Sequence, residues 1–248
     1  MSNYEFTSRI RYSETGPDSR LTIESLINYF QDCSTFQTED SGAGLDMLKE
    51  QGLAWMLLSW QIEIKRLPRL YEEVHIGTIP YELKGMMGLR NYYMDTAAGE
   101  RLAFANSVWA LIDTRTMSPV RITDAHKAHY TLGEKLDMEY GDRKIRFDQS
   151  LPHTQADSVQ IHANQLDSNH HVNNGRYVRI ALDALIPKTL GLEQTPSESF
   201  VRHVQAEYKK QAHLGDELLP LIYEIDEKTV IVDLLLGNES CCTVKIGV

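Results

Sequence analysis

Between residues 166 and 177 the chain reads Leu166-Asp167-Ser168-Asn169-His170-His171-Val172-Asn173-Asn174-Gly175-Arg176-Tyr177. Asp167, Asn169 and His171 stand two apart, and an apolar-periodic segment follows them. In an extended segment alternate residues point the same way. A carboxylate, an amide and an imidazole would then converge on one face. A helix starting near Val172 would add free backbone N–H groups and the positive end of its dipole. Attack of water on an acyl group needs such parts: a base, an orienting group, and donors for the developing oxyanion. The same residues also suit a polar loop whose Asp or Asn caps a helix.

Composition narrows the setting. The chain has 248 residues, 42% of them hydrophobic, enough for one large domain or two small ones. A net charge of −10 argues against nucleic acid as a partner. An acidic partner would have to meet a local basic patch. Cys33, Cys241 and Cys242 have neither metal-site spacing nor a disulfide framework. No Gly-rich loop marks a nucleotide site, so neither a metal nor a cofactor is expected. Residues 1–11 are too polar for a signal peptide, and no apolar run approaches the ~20 residues of a membrane span. The expectation is a reduced, cytoplasmic, soluble protein that does not enter a membrane.

Internal similarity shows which elements must position the polar trio. Residues 63–74 reappear at 207–218 with a constant offset of 144, as in Glu63-Ile64-Lys65-Arg66 against Glu207-Tyr208-Lys209-Lys210. Upstream, Ile10, Leu21, Ile27 and Asp32 match Ile161, Val172, Val178 and Asp183 at an offset of 151. Two matches in the same order indicate duplication. Each half then runs strand, helix, several strands. The first half predicts a strand over 4–12 and a helix over 21–36, with Leu26, Ile27, Phe30 and Cys33 as its stripe and Ser19 or Thr22 as its cap. Strands follow near 54–64, 73–83, 89–95 and 102–113. The second half predicts a strand over 158–166, a helix over 172–185 ended by Pro187, and strands near 200–210, 216–225, 229–236 and 241–246. Residues 136–157 are charged and weakly periodic and read as a linker. The architecture expected is a tandem α+β fold, 1–135 and 158–248, whose sheets pair and bury both helices. At offset 151, Gly16, Asp18 and Arg20 replace Asp167, Asn169 and His171, so only the second half carries the trio.

The Asp-x-Asn-x-His-Val-Asn-Asn-x-x-Tyr pattern over 167–177, the repeat and the total length resemble the acyl-ACP thioesterase family. Trp60-Gln61-Ile62-Glu63-Ile64 with Pro68, and Ser107-Val108-Trp109-Ala110-Leu111-Ile112-Asp113, resemble further family segments. The resemblance implies two tandem hotdog domains, each a sheet wrapped around a central helix. It implies hydrolysis of the thioester between a fatty acyl chain and the phosphopantetheine arm of acyl carrier protein, ending chain elongation. A start at Met1 without a transit extension points to the bacterial branch. Asp167, Asn169 and His171 match the family's catalytic positions. A further carboxylate is implied after a Tyr-basic-basic triplet, but Gln211 follows Tyr208-Lys209-Lys210 here, and Ala212 stands where plant members carry Cys. Gln211 can orient a water or an amide but cannot take up a proton. Two other readings stay open: an acyl-CoA thioesterase on the same scaffold, and a non-catalytic acyl-binding module. A homodimer is also open.

His171 is the natural titrating base near neutral pH. Asp167 either orients it or attacks the carbonyl itself; activation of water by both is the preferred route. His170 is expected to face elsewhere, and His162, His203 and His213, placed on strands, are taken as structural. Arg176, Arg179, Lys209, Lys210, Arg143, Lys144 and Arg146 are candidates for docking an acidic carrier. Trp55, Met56, Leu57, Leu58, Met86 and Met87 make the first half the candidate for the acyl pocket, with Met56 or Leu58 closing its end.

Overall fold

A computed structural model describes residues 4–186 and 197–248. The expected helix stop at Pro187 lies outside the described residues. The first half runs β1 (Tyr4–Arg9), α1 (Ile23–Asp40), α2 (Leu45–Glu50), β2 (Leu53–Ile64), β3 (Glu73–Lys84), β4 (Met87–Thr96) and β5 (Arg101–Asp113). The stretch that follows holds β6 (Ser118–Pro119), α3 (Asp124–Lys127) and β7 (Thr154–Gln155). The second half has β8 (Val159–Gln160), α4 (Asn174–Ala184), β9 (His203–Tyr208), β10 (Glu217–Asp226), β11 (Thr229–Leu236) and β12 (Glu239–Gly247).

The strands form one antiparallel sheet in the order β1-β3-β4-β5-β2-β9-β12-β11-β10-β7, with β6 on β5 and β8 on β10. The two halves are mirrored in this order about the β2–β9 pair. There Ser59 faces Glu207, Gln61 faces Gln205 and Glu63 faces His203. Glu63 and Glu207 are equivalent at offset 144, as are Ser59 and His203, so a local two-fold passes between Gln61 and Gln205. The sheet therefore continues from one half to the other. This is the tandem hotdog arrangement.

α1 and α4 lie against each other and against the sheet. Leu26, Ile27, Phe30 and Cys33 of α1 are all buried, as are Val178, Ala181 and Leu182 of α4. The helices begin at equivalent positions at offset 151. Thr22 caps α1 by accepting from the Ser25 N–H at 3.1 Å, and Asn173 caps α4 by accepting from the Gly175 N–H at 2.9 Å. Gly175 permits the close crossing: a Cβ there would stand 3.1 Å from Asn28 Oδ1 and 3.3 Å from the Glu24 carbonyl.

Two expectations change. The strand predicted over 158–166 is only β8, because Ala163–Gln165 turns as a short 3-10 helix. Its counterpart at Tyr12–Glu14 does the same in the first half. The helix predicted from 172 starts at Asn174, since Val172 is bridged to Leu166.

Candidate active site

The segment carrying Asp167, Asn169 and His171 is a tight turn, not an extended strand. Leu166 and Val172 pair at its base, and the Asp167 N–H donates to the His171 carbonyl at 2.8 Å. One Asp167 carboxylate oxygen, Oδ1, accepts from the N–H groups of Asn169 at 2.8 Å and His171 at 3.2 Å. The carboxylate thus organises the turn from inside. His170 takes a left-handed φ of 61°, which directs it away into solvent. Asn169 lies exposed at the tip, its side-chain amide unbonded among the described residues. The first half repeats this geometry at offset 151. Thr15 pairs with Leu21, the Gly16 N–H donates to the Arg20 carbonyl at 2.8 Å, and Ser19 has a φ of 58°. The scaffold is the same and the chemistry is not.

A chain crossing brings the downstream residues to the turn. The Val172 N–H donates to the Ala212 carbonyl at 3.1 Å, and the Ala212 N–H donates to the Tyr177 hydroxyl at 2.8 Å. Gln211 and His213 flank this contact. The His213 ring meets the His171 ring edge-on, with centroids 4.9 Å apart. His213 is therefore in a loop beside the site, not on a strand, and the strand assignment had hidden it. Its placement depends on pairing across forty residues, which no local pattern reveals. Gln211 is half-buried, and its side chain makes no hydrogen bond among the described residues. Partial burial lowers the pKa of His171; the Asp167 carboxylate pulls it back up, and His213 and His170 lower it further. The imidazole is neutral near pH 7.

The starts of the two helices differ in one decisive respect. At α1 the first helical amide, Ile23 N–H, donates to the Glu198 carboxylate at 2.6 Å. Arg179 also binds that carboxylate, at 2.6 Å. At α4 the equivalent amide, Asn174 N–H, has no acceptor among the described residues. The helix start beside His171 is open to an anion or a carbonyl oxygen; the other is filled from within.

Comparison with known proteins fits this geometry. Residues 2–130 match the family described as the acyl-ACP thioesterase N-terminal domain. The chain belongs to the acyl-ACP thioesterase family. A chloroplastic acyl-[acyl-carrier-protein] hydrolase of Cuphea viscosissima is 26% identical over 239 residues, covering 91% of this chain and 54% of the plant protein. The chain spans about half the length of the first curated relatives it matches. An acyl-ACP thioesterase structure from Bacteroides thetaiotaomicron superposes with a TM-score of 0.85 at 25% identity, covering 99% of this chain and 97% of that one. The 12:0-ACP thioesterase of Umbellularia californica shares the fold, with a TM-score of 0.79 at 19% identity over 99% of this chain and 96% of that one.

Within this family member, the thiols stand apart from the site's chemistry. All three cysteines are buried. Burial pushes the Cys33 thiol up to about 12 and the Cys241 thiol to about 11, and Cys242 is raised as well. The suggested docking cations are largely engaged. Arg176 pairs with Glu24 at 3.0 Å, Arg179 with Glu198 and Asp183, Lys210 with Glu239 at 2.7 Å, and Arg146 with Asp142 at 3.2 Å. Lys209 donates to Ser240 and Thr243. Arg143 and Lys144 have no carboxylate partner among the described residues. Strand register also sorts the pocket candidates. Trp60 meets Phe30 of α1, and Ser107, Trp109 and Leu57 share its face of the sheet. Met56 and Met87 both pair with Ala110 on the opposite face, and Met86 is exposed. Leu57 and Trp55 therefore replace Met56 as residues on the helix-facing side.

Proposed function

We propose that this protein hydrolyses the thioester of acyl-[acyl carrier protein], releasing free fatty acid. The observation that carries the reading is the contrast between the two turn–helix junctions. The one bearing Asp167 and His171 leaves its first helical amide open, and the one lacking them fills that amide with Glu198. An acyl hydrolase needs that combination; a packing scaffold does not. Family membership and the shared fold of the bacterial thioesterase support the same reaction.

The Asn174 N–H, at the positive end of α4, donates to the thioester oxygen as it gains charge. Neutral His171 takes the proton of the attacking water. Asp167 Oδ1 holds the turn, and the charge of its carboxylate favours the imidazolium as it forms. Gln211 can orient the water through its amide but cannot relay the proton. Asn169, at the exposed tip, is placed to meet the pantetheine side of the substrate. The site has this geometry whether the acyl donor is carrier protein or coenzyme A. Parallel assays of thiol release from acyl-ACP and acyl-CoA test the donor. Higher kcat/KM on acyl-ACP is expected; equal or higher efficiency on acyl-CoA would reject the carrier-protein assignment.

A further inference from the structure

The duplicated scaffold supplies its own control for the interior of each half. Strand register and the two sequence offsets pair the residues that face the helices. Trp60, Thr78, Arg90, Tyr92, Ser107 and Ser34 in the first half correspond to Val204, Ile222, Val230, Val232, Ile246 and Leu185 in the second. The second half packs this layer with hydrocarbon throughout. The first half places polar groups at all six positions, although the same backbone needs none.

These groups are not fully satisfied by one another. Trp60 and Tyr92 are both 0% exposed, yet the indole N–H and the phenol hydroxyl have no hydrogen-bond partner among the described residues. The Tyr92 oxygen lies near the Ser34 and Ser107 hydroxyls without meeting either in hydrogen-bond geometry. The buried Arg90 guanidinium has no carboxylate partner among the described residues. It donates to Gln37 and to Thr78 Oγ1 and lies over the Tyr130 ring. Unpaired buried donors are costly to keep. Trp and Arg can only donate, so the missing partner must be an acceptor.

α1 connects this cluster to the reaction centre. Gln31 accepts from the Asn174 side chain at 2.6 Å, beside the open helix amide. Ser34 lies about 4.5 Å further along the helix and Gln37 about 9 Å. An acyl chain laid along α1 from Asn174 would pass Tyr92 and reach Arg90. We propose that the first-half interior is a polar subsite that receives an oxygen carried on the acyl chain, making hydroxyacyl or oxoacyl thioesters the preferred substrates. This deepens the thioesterase reading and rests on it.

The test compares hydroxyacyl-, oxoacyl- and unsubstituted acyl-ACP of equal length, with the oxygen moved stepwise along the chain. Wild type is expected to show higher kcat/KM for at least one oxygenated chain. Tyr92→Phe and Arg90→Met should each reduce that preference at least about fivefold, while plain chains are still turned over. The hydroxy and oxo series separate the two oxygen sources. Calorimetric binding of the corresponding free acids reads the subsite without turnover. If no thioester is hydrolysed, the thioesterase reading fails, and the binding difference still decides the subsite. Preference for plain chains at every position would overturn the proposal, leaving the polar layer structural or holding only water. So would an oxygen preference unchanged in both variants.

Discussion

At the scale of single residues, His171 and Asp167 were legible because the pattern that carries them is local. The way they meet was not, since it depends on Asp167 bonding two backbone amides inside a turn. Removing the proposed base should be severe. In folded protein, His171→Ala is expected to lower kcat by roughly 10²–10⁴-fold, as general-base groups do. Loss of less than about threefold in a steady-state assay would reject the assignment. Gln211→Ala should cost less, because it removes an orienting group only. The pH profile tests His213, which sequence had set aside. Burial holds the His171 pKa below the ordinary 6.5 and the His213 ring adds to the lowering, so activity should persist until pH falls through that lowered value. His213→Ala removes the ring packed edge-on against His171 and opens the imidazole to water, which relieves its burial and raises the His171 pKa. The acid limb of kcat/KM should move to higher pH. A limb that stays in place or moves down would show that the two rings do not interact as described.

At the scale of elements, apolar spacing located both long helices and most of the strands. It missed α2, whose six residues show too little periodicity, and it lengthened the strand before the active turn. That error has a physical cause: residues 163–165 fold as a 3-10 turn, which ends the strand ahead of the Asp167 turn. The helix caps were readable at α1, where Thr22 fits the expectation, and the corresponding Asn173 begins α4. Asn173→Ala removes the Gly175 acceptor and should cost about 1 kcal/mol. In a chain of this size that lowers Tm by roughly 2–4 °C in calorimetry. The mutation also loosens the Asn174 amide proposed to bind the thioester oxygen, so kcat should fall more than KM changes. A variant with unchanged Tm and kcat would mean that α4 needs no cap to hold its first turn.

At the scale of the whole molecule, the repeat told how many halves to expect and in what order, and the β2–β9 seam follows from the same duplication. The stretch between the halves was harder to read, because its contacts are made by single polar side chains and leave no periodic trace. It runs across the outer face of the seam and is held by residues from both sides. Gln61 Nε2 donates to the Glu139 carbonyl at 2.7 Å, and Gln61 Oε1 accepts from the Gly141 N–H at 3.0 Å. From the second half, Gln205 donates to the Asp142 carbonyl at 2.7 Å, and Glu207 accepts from the Ile145 N–H at 3.1 Å. The two glutamines at the local two-fold therefore fasten the connection to the sheet, which limits sliding of one half along the other. Each such bond contributes on the order of 1 kcal/mol. The double variant Gln61→Ala, Gln205→Ala should free residues 139–146 while leaving Asp167, His171 and Asn174 in place. Trypsin reads this directly, since Arg143, Lys144 and Arg146 lie within the fastened stretch. Cleavage there should speed up by about tenfold or more, following the larger open population. Turnover of the uncut double variant should stay near the wild-type value. An unchanged cleavage rate would show that the connection is held by its apolar contacts, Ile145 and Phe147 against Tyr223, and not by the glutamines.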